Sequence, residues 1–175
     1  SPESMPIMAK LGVGLLIVPQ KPWKVVRQDF EIYHRIFREE NGCEAPPPFC
    51  GGFYFVDENA DRAEEMAYKY IGAYYESAMK HYEMESEGFG TAKGYEFYRN
   101  ITKYLERHGK EGAVTDFVKL MPWGTPDQGR EKLQFVHDTI GMNGLMCHFS
   151  YAGMPYTEAE RNLNCFVNHV LPELK

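Results

Sequence analysis

Residues Gly124–Lys175 read GTPDQGREKLQFVHDTIGMNGLMCHFSYAGMPYTEAERNLNCFVNHVLPELK, and this stretch decides the fold. Thr125 and Pro126 predict a helix start, because a hydroxyl at the cap and a proline at the first helical position both favour one. Gly141 predicts the end of that helix. Its apolar face recurs at helical spacing, at Leu133, Val136 and Ile140.

A strand and a second helix follow. The run Leu145–Phe149 is almost wholly apolar, which is typical of a strand covered on both faces. After the loop Ala152–Pro155, Thr157 and Glu160 have the spacing of a capping box and predict a helix start at Thr157. The predicted apolar face of this helix is Leu163, Phe166, Val167 and Val170. Helix, strand, loop and helix in this order indicate one unit of a parallel α/β sheet.

The preceding part of the chain repeats this alternation. The patterns predict a helix entrance at Ser1–Ser4, a strand over Gly12–Val18, a helix over Trp23–Glu40, a strand over Phe49–Val56, and a helix that is capped within Asp57–Asn59 and runs to about Tyr82. Helices that alternate with strands over short turns favour a parallel arrangement with crossover helices.

The segment 83–122 interrupts the alternation. It carries five glycines among aromatic and charged residues, and a modest helix is predicted near Tyr95–Arg107. An excursion of this size inside a strand–helix connection is more often a lid or a binding loop than a plain linker. We therefore expect a single domain over residues 1–175 with a lid-like insertion at about 83–122; a helical insertion without a role is the alternative.

Charge and hydropathy narrow the possible partners. The formal net charge is −6 and the chain has no basic cluster, so nothing indicates nucleic-acid binding. The longest apolar run, Val13–Val18, is far shorter than the roughly 20 residues of a membrane-spanning helix. Cys43, Cys50, Cys147 and Cys165 lack the close paired spacing of a zinc site. The expectation is a cytoplasmic protein without a metal, a membrane span or a signal peptide.

These patterns predict three strands. Three strands are too few to close a (β/α)8 barrel of about 250 residues, and few for an open sheet with both faces covered. We therefore expect either that an N-terminal part completes the sheet or that the chain pairs its sheet edges with another copy.

Three blocks in order along the chain resemble the C-terminal half of the bacterial luciferase-like, flavin-dependent monooxygenases: YIGAYYESAMKHYE, TAKGYEFY, and the stretch from Trp123 to Lys175. SPESMPIMAKLGVGLLI is similar to the segment after the fifth barrel strand of that family. The resemblance implies the last three strands of a TIM barrel with their helices, an incomplete barrel, with a mobile lid between strands seven and eight.

The resemblance also implies an activity. In that family, reduced FMN from a separate flavin reductase reacts with oxygen to give a flavin peroxide that oxygenates an organic substrate. The family's catalytic histidine lies in the half without a counterpart here, so this chain alone is expected to be incomplete for catalysis, and no residue of it is identified as a general base or nucleophile. The same features could serve an F420-dependent oxidoreductase of the same superfamily, or a half-barrel that is a non-catalytic interaction module.

The resemblance assigns cofactor-binding positions to this sequence. Ser1, Glu3 and Ser4 correspond to the site of the flavin phosphate, where helix N–H groups and hydroxyls attract an anion; an ordinary helix cap is the alternative. Val18 and Pro19 would lie beside the isoalloxazine ring, at the strand end where active sites gather, or form a plain turn.

Further positions are assigned to the cofactor, the substrate and the lid. Tyr74 matches an aromatic position near the cofactor, although it could equally pack in the core. His148 and Tyr151 close the last strand at the functional end; a hydrogen-bonded structural histidine is the alternative for His148. Lys93, Tyr95 and Lys110 are candidates to close over bound flavin and exclude water, with a charged loop as the alternative for each. The substrate itself is not indicated by the residues.

Overall fold

The computed structural model of the chain describes residues 4–84 and 99–174. In these ranges the helices are α1 (Ser4–Lys10), α2 (Trp23–Asn41), α3 (Ala60–His81), α4 (Arg99–Leu120), α5 (Pro126–Ile140) and α6 (Tyr156–His169), followed by a 3-10 turn at Leu171–Glu173. The strands are β1 (Leu16–Ile17), β2 (Phe49–Phe53), β3 (Phe55–Val56), β4 (Trp123–Gly124) and β5 (Gly144–His148). The chain is thus a mixed α/β fold.

The main sheet is parallel, as the alternation of helices and strands predicts. Its order is β1–β2–β5, and Leu16 pairs with Phe49 while Phe53 pairs with His148. The first strand is shorter than the predicted Gly12–Val18, since only Leu16 and Ile17 pair with β2.

The predicted strand Phe49–Val56 is in fact two strands that belong to different sheets. Phe53 still pairs with β5, but beyond Tyr54 the chain pairs with β4, where Phe55 lies opposite Trp123. Strand β4 was not predicted, because a two-residue Trp-Gly segment has no periodicity. The described residues therefore hold five strand segments in two parallel sheets rather than three strands in one.

Local sequence signals set most helix ends. Thr125 and Gln128 form a complete capping box at the start of α5, and Gly141 ends that helix in the left-handed conformation. Asn59 caps α3 by accepting a hydrogen bond from the Arg62 N–H. The predicted cap at Thr157 is wrong: α6 begins at Tyr156 directly after Pro155, which fixes the backbone at the helix entrance.

Helix α4 extends well beyond the predicted Tyr95–Arg107. It is interrupted at Gly109, where φ is 69° and ψ is 171°, and then continues to Leu120. In the second part, Phe117 and Val118 are buried with Ile71 of α3. This part of the 83–122 segment belongs to the packed core, whereas residues 85–98 lie outside the described ranges and the lid stays a prediction.

Two apolar clusters hold the fold together. One packs the main sheet against α2, α5 and α6 and contains Val26, Phe30, Tyr33, Cys50, Val136 and Phe166. The other joins β3 to α3 and α4 and contains Phe55, Ile71, Phe117, Val118, Met121 and Tyr151. Of the predicted apolar face of α6, Phe166 and Val170 are buried, but Leu163 and Val167 are exposed.

Among the described residues, helices cover the main sheet on one face only. Ile17, Cys50 and Cys147 contact the first cluster, whereas Leu16, Phe49 and Met146 are 51%, 52% and 46% exposed. The expectation that the last strand is covered on both faces is therefore wrong for the described residues, because they supply no layer opposite the helices. We call this surface the open face, defined by Leu16, Phe49 and Met146.

No helix in the described part of the chain combines the length and the apolar character that crossing a membrane requires.

Candidate functional site

The carboxyl ends of β1, β2 and β5 meet at one edge of the main sheet. Strands that run parallel bring their ends together, so Phe53 and His148, which pair directly, lie side by side at this edge. Val18 follows β1 and lies next to β2, since a Cβ built on Gly51 would be 3.1 Å from Val18 Cγ2. We call this edge the carboxyl edge.

Four aromatic side chains surround Phe53 at the carboxyl edge. The ring centroids of Tyr74, Tyr151 and His148 lie 3.9, 5.1 and 5.3 Å from that of Phe53, and the ring of Phe117 lies 6.3 Å away. We call Phe53, Tyr74, Phe117, His148 and Tyr151 the edge cluster. Three residues predicted for the site, Tyr74, His148 and Tyr151, are thus brought together by a residue that was not predicted.

The edge cluster has a buried part and an accessible part. Phe53, Phe117 and Tyr151 are buried, whereas Tyr74 and His148 are exposed. The Tyr151 hydroxyl donates a hydrogen bond of 3.0 Å to the Tyr54 carbonyl, and burial raises the pKa of the phenol. Tyr151 is therefore a fixed, neutral anchor, and Tyr74 and His148 are the rings that a ligand at this edge could contact.

The remaining predicted positions are placed as follows. Val18 is 40% exposed, but Pro19 is buried and presents little surface to a ligand. Ser4 is the first residue of α1, and Lys110 is an exposed residue directly after the Gly109 break. Ser1, Glu3, Lys93 and Tyr95 lie outside the described residues.

A cleft of about 480 Å³ opens beside the edge cluster. One wall is formed by Gln20, Lys21, Pro22 and Val25, between the end of β1 and the start of α2. The other wall comes from α3 and α4 and contains Tyr75, Tyr104, Ala113, Asp116, Phe117, Lys119 and Leu120. Phe117 belongs to both the edge cluster and the cleft, so the two are neighbours.

The cleft combines an aromatic surface with one strong hydrogen bond. The rings of Tyr75 and Phe117 are nearly parallel, with centroids 4.3 Å apart and planes inclined by 12°. The Tyr104 hydroxyl donates to the Asp116 carboxylate, and this bond, followed by burial, raises the pKa of Tyr104 to about 12. Lys21 is paired with the buried Asp29 rather than extending freely into the cleft.

The cysteines on the main sheet are poor candidates for nucleophiles. Burial raises the pKa of Cys50 to about 12 and that of Cys147 to about 11. Both thiols are therefore protonated at neutral pH, and the thiolate is the reactive form. Across residues 4–84 and 99–174, no cluster of three or more His, Cys, Asp or Glu side chains is arranged to hold a metal ion.

Several residues of this region were missed from the sequence. Phe53 was assigned to a buried strand, and nothing in its neighbours indicates that its ring turns towards the carboxyl edge. Phe117, Tyr104 and Asp116 were placed in the insertion. An apolar spacing of Ala113, Phe117 and Leu120 was the available signal for a packed helix there.

Comparison with known proteins identifies the class of the fold. Residues 1–142 match the model of the luciferase-like monooxygenases. The chain therefore belongs to the luciferase-like monooxygenase family.

The individual proteins that the chain resembles have low sequence identity to it. The chain is 27% identical over 125 residues to the alkanal monooxygenase alpha chain of the Kryptophanaron alfredi symbiont, an alignment that covers 69% of this chain and 34% of that protein. The chain thus spans about a third of the length of this curated relative.

Among solved structures, the chain is similar to monooxygenase RslO1 from Streptomyces bottropensis, with a TM-score of 0.63, 18% identity, and coverage of 98% of this chain and 45% of that one. It is equally similar, at 14% identity and a TM-score of 0.63, to the oxygenating constituent of 3,6-diketocamphane monooxygenase from the CAM plasmid of Pseudomonas putida, a type II Baeyer-Villiger monooxygenase in complex with FMN, with 98% and 46% coverage.

A third similar structure is the coenzyme F420 dependent tetrahydromethanopterin reductase from Methanopyrus kandleri, with a TM-score of 0.56, 12% identity, and coverage of 100% of this chain and 49% of that one. At these identities the likeness establishes the fold, and in each case this chain spans just under half of the solved chain.

Proposed function

We propose that this chain is the C-terminal portion of a reduced-FMN-dependent, luciferase-like monooxygenase that oxygenates an organic substrate. The observation that supports this most is the meeting of Tyr74 and His148 around Phe53 at the carboxyl edge of parallel strands. This edge is where barrel enzymes of this architecture hold their ligands.

The open face supports the assignment of β1, β2 and β5 to the last three strands of a barrel. Half-exposed Leu16, Phe49 and Met146 form the surface that further strands would cover in a closed cylinder. We propose that a complementary strand–helix half, in the same or another polypeptide, covers this face; pairing of two copies of this chain is the alternative.

The residues at the carboxyl edge fit a flavin ring. Val18 is 40% exposed and lies beside Gly51 of β2, so it offers apolar surface at the edge that also carries the rings of Tyr74 and His148. Planar aromatic groups stack favourably on such rings. When bound, FMN supplies the activation of oxygen and the redox chemistry of the reaction.

The chain's own residues would bind the flavin and orient it. Tyr74, His148 and Val18 would contact the ring system, and Tyr151, held on the Tyr54 carbonyl, would fix the end of the strand that carries His148. The buried rings of Phe53 and Phe117 exclude water from the interior side of the edge cluster. We assign no proton transfer to any residue of this chain, and completing the catalytic cavity is the task of the other half.

The other assigned residues remain part of the proposal. Ser1, Glu3 and Ser4 are proposed to hold the flavin phosphate, with Pro19 shaping the turn beside the ring. Lys93, Tyr95 and Lys110 are proposed to close over the site. A separate flavin reductase, oxygen and a small organic molecule are the proposed partners, and the cytoplasm is the proposed location.

An F420-dependent oxidoreductase is the second candidate, and the likeness to an F420 dependent reductase favours it. Fluorescence titration of the chain with FMN and with F420 separates the two. We expect saturable quenching by FMN and none by F420; saturation by F420 alone would reverse the assignment, and no saturation by either would exclude a flavin site in this chain.

Turnover and oligomeric state complete the test. With FMN, NADH, a flavin reductase and candidate substrates, the chain alone is expected to lack the activity of a complete enzyme, because the open face leaves the site accessible to water. Light scattering addresses a non-catalytic interaction module: a monodisperse dimer without flavin binding would favour that function.

A further inference from the structure

We propose that the cleft between the β1–α2 connection and helices α3 and α4 binds a planar aromatic molecule that carries a neutral hydroxyl group. The identification of this molecule as the organic substrate rests on the proposed monooxygenase function. Its binding to the cleft does not depend on that function.

The size and lining of the cleft suit such a molecule. Its volume of about 480 Å³ lies within the range of about 300–1,000 Å³ typical of small-molecule sites. Most of its surface is apolar, with Pro22 and Val25 on one wall and Tyr75, Phe117 and Leu120 on the other. An apolar slot with a few polar groups is the usual form of a ligand site.

The aromatic wall favours a flat ligand. The Tyr75 ring stacks on Phe117 with centroids 4.3 Å apart, and Phe117 is only 4% exposed, so Phe117 holds the half-buried Tyr75 ring in place as the surface that a ligand can contact. Rigid rings offer a large contact area at little entropic cost, and they attract other rings in offset or edge-to-face arrangements. A flexible chain would gain less from these fixed surfaces.

Tyr104 and Asp116 form a pair of hydrogen-bond acceptors in the cleft. Tyr104 uses its only proton on Asp116, so its oxygen can only accept, and the Asp116 carboxylate has further acceptor sites. A ligand group that hydrogen-bonds to this pair must therefore donate a proton. Asp116 disfavours an anionic group at this pair, and Lys119 on the same cleft disfavours a cationic one. A neutral hydroxyl meets these conditions.

The position of the cleft connects it to the proposed flavin site. Phe117 lines the cleft, and its ring centroid lies 6.3 Å from that of Phe53 and 6.2 Å from that of Tyr74. A ring bound in the cleft would therefore lie beside the edge cluster, as a substrate must lie beside its cofactor.

The test uses two probes that differ in one proton donor, 2-naphthol and 2-methoxynaphthalene, with the flavin-free chain at pH 7. NMR of the methyl groups of Val25 and Leu120 reports binding in the cleft. We expect 2-naphthol to shift these methyl signals saturably and to bind roughly tenfold more tightly than the ether, as expected for a hydrogen bond to a charged acceptor.

Three variants locate the hydrogen bond. Asp116→Ala is expected to remove most of the preference for 2-naphthol, whereas Tyr104→Phe, which leaves the carboxylate as an acceptor, is expected to retain it. Asp138→Ala, which removes an exposed carboxylate from α5 outside the cleft, should behave as wild type. Asp116 is exposed on α4, so its replacement is compatible with folding, which circular dichroism checks.

Each contrary outcome is decisive. Equal affinities for the two probes in the wild type, a preference that survives Asp116→Ala, or shifts confined to methyl groups outside the cleft would overturn the proposal. Because the measurement contains no flavin, it is independent of FMN binding: naphthol binding without FMN binding contradicts the proposed function alone, and the converse contradicts this inference alone.

Discussion

The side-chain amide of Asn162 donates a hydrogen bond of 2.6 Å to the backbone carbonyl of Tyr54. The amide oxygen of the same side chain accepts from the Val56 N–H at 2.9 Å, and Asn162 is 0% exposed. These bonds span the point at which the chain leaves the main sheet for the second one. A buried side chain on α6 thus bonds the Val56 N–H and, together with the Tyr151 hydroxyl, the Tyr54 carbonyl at this crossing.

Replacing Asn162 with leucine is expected to lower the free energy of unfolding by about 3 kcal/mol, since the Val56 N–H would be buried without a partner and the Tyr54 carbonyl would lose one of its donors. Urea unfolding measures the change. Asn164→Leu on the exposed face of the same helix is the matched control, expected to change stability by less than about 0.5 kcal/mol. Equal effects of the two substitutions would contradict this role for Asn162.

Lys132 is expected to titrate near pH 8. Its ammonium lies 3.6 Å from the Trp123 ring centroid and donates to the Trp123 carbonyl at 2.8 Å, while burial lowers its pKa to about 8 despite the opposing effect of Glu64. The unfolded chain keeps its proton up to about pH 10.4, so between these values the unfolded state binds more protons and stability rises with pH.

The contribution of Lys132 is isolated by comparison with Lys132→Gln. The free energy of unfolding of the wild type, relative to this variant, should increase from pH 8 to pH 10 and be flat below pH 7. NMR titration of the lysine side chains provides the pKa directly. A Lys132 signal that titrates above pH 10, or a difference that falls with pH, would show that the side chain is not desolvated.

Thr125→Ala is expected to lower stability by about 1 kcal/mol, because the capping box at the start of α5 loses its hydroxyl acceptor. Thr157→Ala is the control, since Thr157 lies inside α6 and does not cap it. Thermal or urea unfolding distinguishes the two. A larger effect of Thr157→Ala would restore Thr157 as the cap predicted from the sequence.

His148→Ala is expected to weaken FMN binding roughly fivefold to tenfold, because an exposed ring at the carboxyl edge would be lost. Fluorescence titration of FMN measures the effect. His169→Ala, at the far end of α6, is the matched control and should bind as wild type. Identical affinities for the wild type and both variants would remove His148 from the proposed site.

The regular part of the fold could be predicted from the sequence, because it depends on local signals. Thr125 and Gly141 bound α5 as predicted, and Gly42 ends α2 in the left-handed conformation just after Asn41. The parallel arrangement followed from the alternation of helices and strands. What was not predicted depends on long-range pairing: the change of partner at Tyr54 and strand β4 are fixed by residues more than sixty positions apart.

The site was predictable only in part, for a similar reason. Resemblance to the family indicated Tyr74, His148 and Tyr151, and the structure brings these three together. It could not indicate Phe53, since a buried strand residue looks the same whether its ring faces a helix or a strand end. Phe117 was hidden in a segment whose glycines at 109 and 112 resemble a loop, although only Gly109 interrupts the helix.

Phe117 separates the edge cluster from the cleft, because its ring belongs to the cluster and also lines the cleft. A shorter side chain at this position would alter the edge cluster and the cleft at the same time. The cleft therefore cannot be enlarged at Phe117 without a change to the edge cluster. Val25 and Leu120 line the cleft but do not belong to the edge cluster. Substitutions at these two positions would change the size of the cleft and leave the edge cluster intact.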